Sequence, residues 1–499
     1  MRRLPMRLLR WVLAAAVPLA STFPAFAAAE TAKESPARRP PSGQEGGVRM
    51  PTPAFQTEVP PEDWNAVLGR PTRDSITLSL LARRELEVCV DHGVRSDALT
   101  QSTPVRMLRA GEPLEFLLSG LPAGTNHYRV RTRSPGEADW TLGETRRFTT
   151  ARALGEAFTF TVQADPHLDY GTDLAVYGKS LRNAVDSGTD FHVDLGDTFT
   201  TDKYAEFHEA LPQYRAQRHW LGQVGRQAAV FLVLGNHDGE QPGRGGAGAD
   251  SMPVWSNLQR KRHFPNPVPD GFYTGNEVPH PVAGLLQDYY AWHWGDALFV
   301  VLDPFWFSTR TRGGDNWSRT LGERQYRWLQ QTLETSRARF RFVFLHHLAG
   351  GESREGRGGA EASRLFEWGG LEPDGKDGFA THRPGWNLPV HDLLVRNGVT
   401  AVFHGHDHFY ARQQRDGMLY VLVPQPGHRR YDPPRSAAEY GYRQGEIQGP
   451  SGILRVRVSP EAARMEYVRA YPDAAESPSR RTGDVTDRME IPARARPGR

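Results

Sequence analysis

From residue 157 onward one pattern recurs: a short, nearly continuous apolar run, a polar turn, then a stretch with apolar positions three or four apart. Phe158-Thr-Phe-Thr-Val-Gln-Ala, Phe191-His-Val-Asp-Leu, Ala229-Val-Phe-Leu-Val-Leu, Ala297-Leu-Phe-Val-Val-Leu, Phe342-Val-Phe-Leu, Ala401-Val-Phe and Leu419-Tyr-Val-Leu-Val predict buried strands. Residues 178–187 and 323–336 predict amphipathic helices, and in the second Tyr326, Leu329 and Leu333 share one face. Strands alternating with helices predict an α/β domain over 153–472. Inside it, residues 239–287 form a long insertion rich in Gly, Pro and aromatics, expected to be a lid or a surface elaboration.

The preceding segment has a different texture. Ser75-Ile-Thr-Leu-Ser-Leu-Leu, Glu85-Leu-Glu-Val-Cys-Val, Leu114-Glu-Phe-Leu-Leu and Tyr128-Arg-Val-Arg-Thr-Arg are short, mostly alternating runs separated by turn residues. They predict a small all-β sandwich over 70–152. The stretch Leu118-Ser-Gly-Leu-Pro-Ala-Gly-Thr-Asn-His-Tyr128 resembles the corner of fibronectin type III-like domains. That resemblance implies that the Tyr128 hydroxyl bonds back to the sandwich's own backbone. Cys89 is expected to be a small buried hydrophobe in a strand. Residues 30–69, rich in Pro, Ala, Gly and charge, are expected to be a disordered linker, and residues 473–499 a disordered tail.

A chain of 499 residues allows about three domains at roughly 150 residues each. Its single cysteine excludes an internal disulfide and any multi-cysteine zinc site. Residues 1–29 read as a signal peptide: a basic start ending at Arg10, the apolar run Trp11 to Ala20, then small residues suited to cleavage after Ala27 or Ala29. Pro18, Ser21, Thr22 and Pro24 interrupt that run, so it does not read as a spanning helix. The formal charge of +3 becomes −1 once the four arginines of residues 1–27 are set aside. The remaining arginines are scattered, which leaves no nucleic-acid footprint. An exported protein, periplasmic or secreted and without a membrane span after signal removal, is expected.

Five strand ends run directly into metal-ligand residue types: Asp165-Pro-His167, Gly196-Asp197, Gly235-Asn236-His237-Asp238, His346-His347 and His404-Gly405-His406-Asp407-His408. Each alone is an ordinary turn, cap or surface motif. In α/β sheets, however, ligands gather at the carboxyl ends of strands, so five such ends imply one shared site. Oxygen and imidazole donors without thiolate suit Mn, Zn or Fe. There are too many ligands for one tetrahedral ion. Two ions ~3.5–4 Å apart, sharing a bridging carboxylate, fit better.

The ordered set Asp-x-His, Gly-Asp, Gly-Asn-His-Asp, His, Gly-His-x-His resembles the calcineurin-like metallophosphoesterases, which include purple acid phosphatases. The resemblance implies a four-layer αββα sandwich with two mixed β-sheets. By motif, Asp165, His167 and His408 would bind one metal, Asn236, His346 and His406 the second, and Asp197 both. His237 would not ligate but would protonate the leaving oxygen or stabilise the charged transition state, with Asp238 orienting its ring. The reaction implied is attack by metal-bound hydroxide on the phosphorus of a small-molecule phosphate ester. A sandwich placed before the catalytic domain favours phosphomonoesters, with phosphodiester or nucleotide hydrolysis the alternative on the same site. A non-catalytic surface-binding protein is the remote alternative, and it predicts decayed ligand positions, whereas all are filled.

Two features depart from the purple enzymes. The first motif carries His167 where they have glycine, and Thr200 stands where they have the iron-binding tyrosine. Around the main set, His347 is the fallback for His346. Asp303 reads as a turn or cap residue, His192 as strand packing, and His404 as packing or support. His428, Arg429 and Arg430 read as a solvated loop, with contact to substrate phosphate as the alternative, and Phe305-Trp306-Phe307 as core or pocket wall.

Overall fold

The computed structural model describes residues 55–309, 316–352 and 355–495. The expected signal peptide and most of the expected linker lie outside the described residues. Among the described residues, no helix is long and apolar enough to cross a membrane.

Two antiparallel sheets build the N-terminal sandwich. One joins Trp64–Gly69, Ser75–Ala82 and Leu114–Ser119; the other centres on Leu86–Gly93 paired with Thr125–Arg133. Along Thr125–Arg133 burial alternates residue by residue, with Asn126, Tyr128, Val130 and Thr132 turned inward. Cys89 is buried there, as expected.

The strand Trp64–Gly69 corrects the expectation of a disordered linker to residue 69. It is buried on both faces, with Ala66 and Leu68 in the sandwich core and Val67 against the helices of the α/β domain. A two-faced strand shows no alternation, so its pattern does not stand out from the lead-in. Tyr128 brings a second correction. Its hydroxyl donates at 2.7 Å to the carbonyl of Arg226, at the end of the helix Leu211–Gly225, and not to the sandwich's own corner. The buried Arg218 of that helix makes a parallel link, donating to Asn65 Oδ1 and to the Ser79 carbonyl.

The α/β domain holds two mixed sheets. In the first, Phe158–Gln163, Phe191–Asp194 and Ala229–Leu232 run parallel, and Gly452–Val458, Ala462–Arg469 and Val485–Pro492 continue antiparallel. In the second, Ala297–Val301, Phe340–Phe344, Ala401–His404 and Met418–Leu422 run parallel, flanked by antiparallel strands. Phenylalanines fill the space between the sheets: Phe160 and Phe191 stack at 5.5 Å, and Phe299 meets both edge-on at 5.2 and 5.1 Å. Leu174–Asp186 and Leu211–Gly225 cover the outer face of the first sheet, and Glu323–Thr335 and Val390–Arg396 that of the second. The result is the expected four-layer αββα arrangement.

Val485–Pro492 corrects the expected disordered tail. It pairs with Ala462–Arg469, turns Met489 and Ile491 to the core, and aligns Asp487 with Arg412 and Arg488 with Glu466. These charges look like a solvated run until their partners, distant in sequence, come alongside.

Replacing Tyr128 with Phe removes the link to Arg226 and should cost about 1 kcal/mol in chemical unfolding. An unchanged midpoint would show that the bond does not help hold the sandwich in place.

Candidate metal centre

All five motifs sit at carboxyl ends of parallel strands, on the same edge of the two facing sheets. The backbone there is strained: Asp165 (φ 56°), Asp197 (57°), His406 (78°) and His408 (65°) are all left-handed. Side chains other than glycine hold this region only where surrounding contacts enforce it. Close approach explains the motif glycines. A Cβ on Gly235 would overlap the backbone nitrogen of Asp197, and one on Gly405 would lie 2.7 Å from Ala164 Cβ and 2.8 Å from Asp165 Oδ2.

The ligand types converge in two groups. Donor atoms of Asp165, His167 and His408 lie within 4.8 Å of one another, as do those of Asp197, His346 and His406. Asp165 Oδ1 stands 3.4 Å from His408 Nε2 and 3.8 Å from both His167 Nε2 and His346 Nε2. Asp197 Oδ2 stands 3.3 Å from His346 Nε2 and 3.8 Å from His167 Nε2, so it faces both groups. Asn236 Oδ1 is 3.0 Å from His346 Nε2. Asp165 Oδ1, Asp197 Oδ2 and His167 Nε2 are buried without a hydrogen-bond partner. Orphaned buried acceptors are costly, and a cation between them satisfies all three. The residues fit two ions.

Surrounding groups fix the donors. The Asp165 Oδ2 carboxylate oxygen accepts from the His406 backbone N–H at 2.9 Å, and Asp197 Oδ1 from that of His237 at 2.7 Å, leaving one oxygen of each for the site. His346 Nδ1 lies 2.9 Å from the Leu195 carbonyl, which turns Nε2 inward. His406 Nε2 meets the Glu355 carbonyl at 3.0 Å. His347 points elsewhere, to the Leu348 carbonyl through Nδ1 and to Arg319 through Nε2. The geometry therefore selects His346 of the adjacent pair.

The field follows from this packing. Burial alone would depress the His346 imidazole, yet Asp197 and Asp165 outweigh it and raise it to about 10. Burial likewise pushes Asp165 and Asp197 up, but the imidazoles around them, His408 and His346 beside Asp165 and His346 and His237 beside Asp197, hold both below the ordinary carboxylate range. His406 and His347, buried near other cations, are pushed well down.

His237 stands beside the groups, its ring 6.2 Å from that of His167. Its orienting carboxylate is a correction. Asp238 does not bond the ring; its carboxylate accepts from the backbone N–H groups of Gly235 (2.7 Å), Phe199 (2.8 Å) and Asp197 (3.1 Å), tying two strand-end loops together. Asp202 takes the orienting place, with His237 Nδ1 at 2.9 and 3.1 Å from its two oxygens. An adjacent Asp in the motif is the natural choice from sequence, but its short side chain is spent on the backbone, and Asp202 returns through a tight turn. Its only signal in the sequence was a lone Asp following the Gly-Asp motif.

The remaining candidates stand outside the two ligand groups. Thr200 accepts from Gln213 Nε2 at 2.7 Å. His192 meets Thr161 inside the sheet. Burial lowers His404 to about 4, and its ring stacks 6.5 Å from Tyr442. Asp303 caps the turn through the N–H groups of Phe305 and Trp306. Phe305 packs edge-on at 4.8 Å to His347, and Trp306 packs under the insertion. His428 accepts from the Arg430 N–H, and Arg429 and Arg430 are exposed.

A family model described as calcineurin-like phosphoesterase matches residues 158–410. Among solved structures, the chain is similar to a purple acid phosphatase, PPD1, from yellow lupin (Lupinus luteus) seeds, at 14% identity and TM-score 0.58 over 86% of this chain and 74% of that one. It is also similar to PhoD, at 15% identity and TM-score 0.59 over 90% of this chain and 94% of that one. These likenesses show the fold. No curated protein matches the sequence.

Asp197→Ala should lose both ions when metal content is measured, whereas two retained ions would contradict a shared carboxylate. His346→Ala should reduce metal content and His347→Ala should not. A ligating imidazole must be neutral, and the metal-free His346, raised to about 10, is protonated at pH 7. Metal uptake should therefore release a proton and tighten as pH rises toward 10, as titration calorimetry in buffers of different ionisation enthalpy will reveal.

Proposed function

Because the chain belongs to the calcineurin-like phosphoesterase family and is thus a metal-dependent phosphoester hydrolase, we propose that it is an exported two-metal enzyme acting on small-molecule phosphate esters, with monoesters preferred. The observation that carries this reading is the pair of ligand groups meeting at Asp197, with orphaned inward-facing donors and His237 alongside. Asp165, His167 and His408 would hold one ion, Asn236, His346 and His406 the other, and Asp197 both. When bound, the ions supply Lewis acidity and a water ionised near neutral pH.

The chain's own groups do the rest. With Nδ1 tied to Asp202, His237 offers Nε2 to the leaving oxygen, delivering a proton as the ester bond breaks. His408 is the most open ligand, its side chain 40% exposed, so substrate enters on its side. The monoester preference is supported by the likeness to a purple acid phosphatase over 86% of this chain and by the sandwich that precedes the α/β domain. Export is supported by the N-terminal sequence pattern alone. With every ligand position filled, nothing favours a non-catalytic role.

His237→Ala should keep two ions yet lower kcat by about 10²–10⁴-fold on an ester with a poor leaving group. Protein stripped of metal and reloaded with Mn, Zn or Fe, offered one aryl group as monoester and as diester, tests the substrate class. Faster diester cleavage would replace the monoester reading with the phosphodiesterase one.

A further inference from the structure

The insertion at 239–287 begins directly out of the Asn236 motif, and its first residues are locked one after another. Gly239 turns at φ 85°, where a Cβ would lie 2.5 Å from Ser256 Oγ. Glu240 is buried in a bidentate pair with Arg260 (2.6 and 3.0 Å) and also accepts from Asn257. Gln241 Nε2 donates back to the Asn236 carbonyl at 2.9 Å. The helical turn Pro242–Gly245 then carries Arg244 onto Asp202, Nη1 to Oδ2 at 2.7 Å. Asp202 is therefore held from two sides, by His237 Nδ1 and by Arg244. Its backbone N–H also donates to the His237 carbonyl at 3.3 Å.

We propose that Arg244 is a positioning residue for the proton transfer at His237: the insertion supplies a cation that fixes the Asp202 carboxylate, and through it the imidazole. The inference rests on His237 acting as the proton donor. A carboxylate at the tip of a three-residue turn is free to rotate, and a rotated Asp202 lets the His237 ring swing away from the leaving oxygen. The guanidinium removes that freedom at one oxygen while the other remains on Nδ1. An arginine reserved for gripping phosphate would keep its charge for the substrate; this one spends it on Asp202. The insertion thus takes part in the chemistry from a site outside the ligand set, its first residues anchored by the buried Glu240–Arg260 pair.

The test compares two monoesters, an alkyl phosphate with a poor leaving group and a dinitrophenyl phosphate that needs little proton assistance. Arg244→Ala should retain two ions and lower kcat on the alkyl ester by about tenfold. KM and turnover of the activated ester should change little, and Arg244→Lys should restore part of the loss. Equal losses on both esters, a rise in KM alone, or unchanged alkyl turnover would overturn the proposal. His237→Ala run alongside separates the two readings. If it shows the leaving-group dependence and Arg244→Ala does not, only the role of Arg244 fails. If His237→Ala lacks that dependence, the proton-donor reading fails with it.

Discussion

Two carboxylates, Asp165 and Asp197, are almost completely buried between imidazoles, each with one oxygen on a backbone N–H and the other facing its neighbours. Burying such charges without compensation is prohibitive, and the surroundings are organised around supplying it. The strand ends must approach closely enough for His346 to lie near both carboxylates. That approach forces glycine at 235 and 405 and left-handed backbone at Asp165, Asp197, His406 and His408. Asp238 holds the arrangement by gathering three backbone N–H groups from two loops.

Strained loops need a stiff base, and the aromatic layer between the sheets provides it. Phe160, Phe191, Phe299, Phe344 and Phe403 sit in contact beneath the motif-bearing strand ends. A close-packed interior resists small displacements, so donors on five separate strands keep their spacing before any ion arrives. The sandwich extends this base from outside, docking on the helix Leu211–Gly225 through Tyr128 and Arg218. The same helix carries Gln213 and Gln217, which bond Thr200 and the carbonyls of Pro166 and Thr198 in the motif loops. A continuous run of contacts thus leads from the N-terminal domain to the loops of the metal centre.

Much of this was legible in the sequence because it is local. Apolar runs specify buried strands by their period, and the residue that follows each run specifies what stands at the strand end. Asp165, His167, Asp197, Asn236, His346, His406 and His408 could therefore be named from strand-end motifs, as could the β-sandwich and the alternating α/β domain. The preference for His346 over His347 rested on the motif resemblance alone, since adjacent residues of one type differ only in where the chain points them. The Leu195 carbonyl captures one ring, and Arg319 stands against the other.

What only the tertiary structure decided are the pairings between segments far apart in the chain. Asp238 was the plausible partner of His237 by adjacency, yet its carboxylate is consumed by backbone N–H groups, and Asp202 comes round a turn to hold the imidazole. Arg244 reaches Asp202 only because an insertion without a readable period is locked by the buried Glu240–Arg260 pair. Tyr128 bonds a helix in the next domain, and the charged residues of 485–492 form a strand because Arg412 and Glu466 lie alongside. The sequence by itself determined which residue types stand at the strand ends, since periodicity and turn chemistry act over a few residues. Charge pairing and hydrogen bonding depend on distances in space, and folding alone sets those.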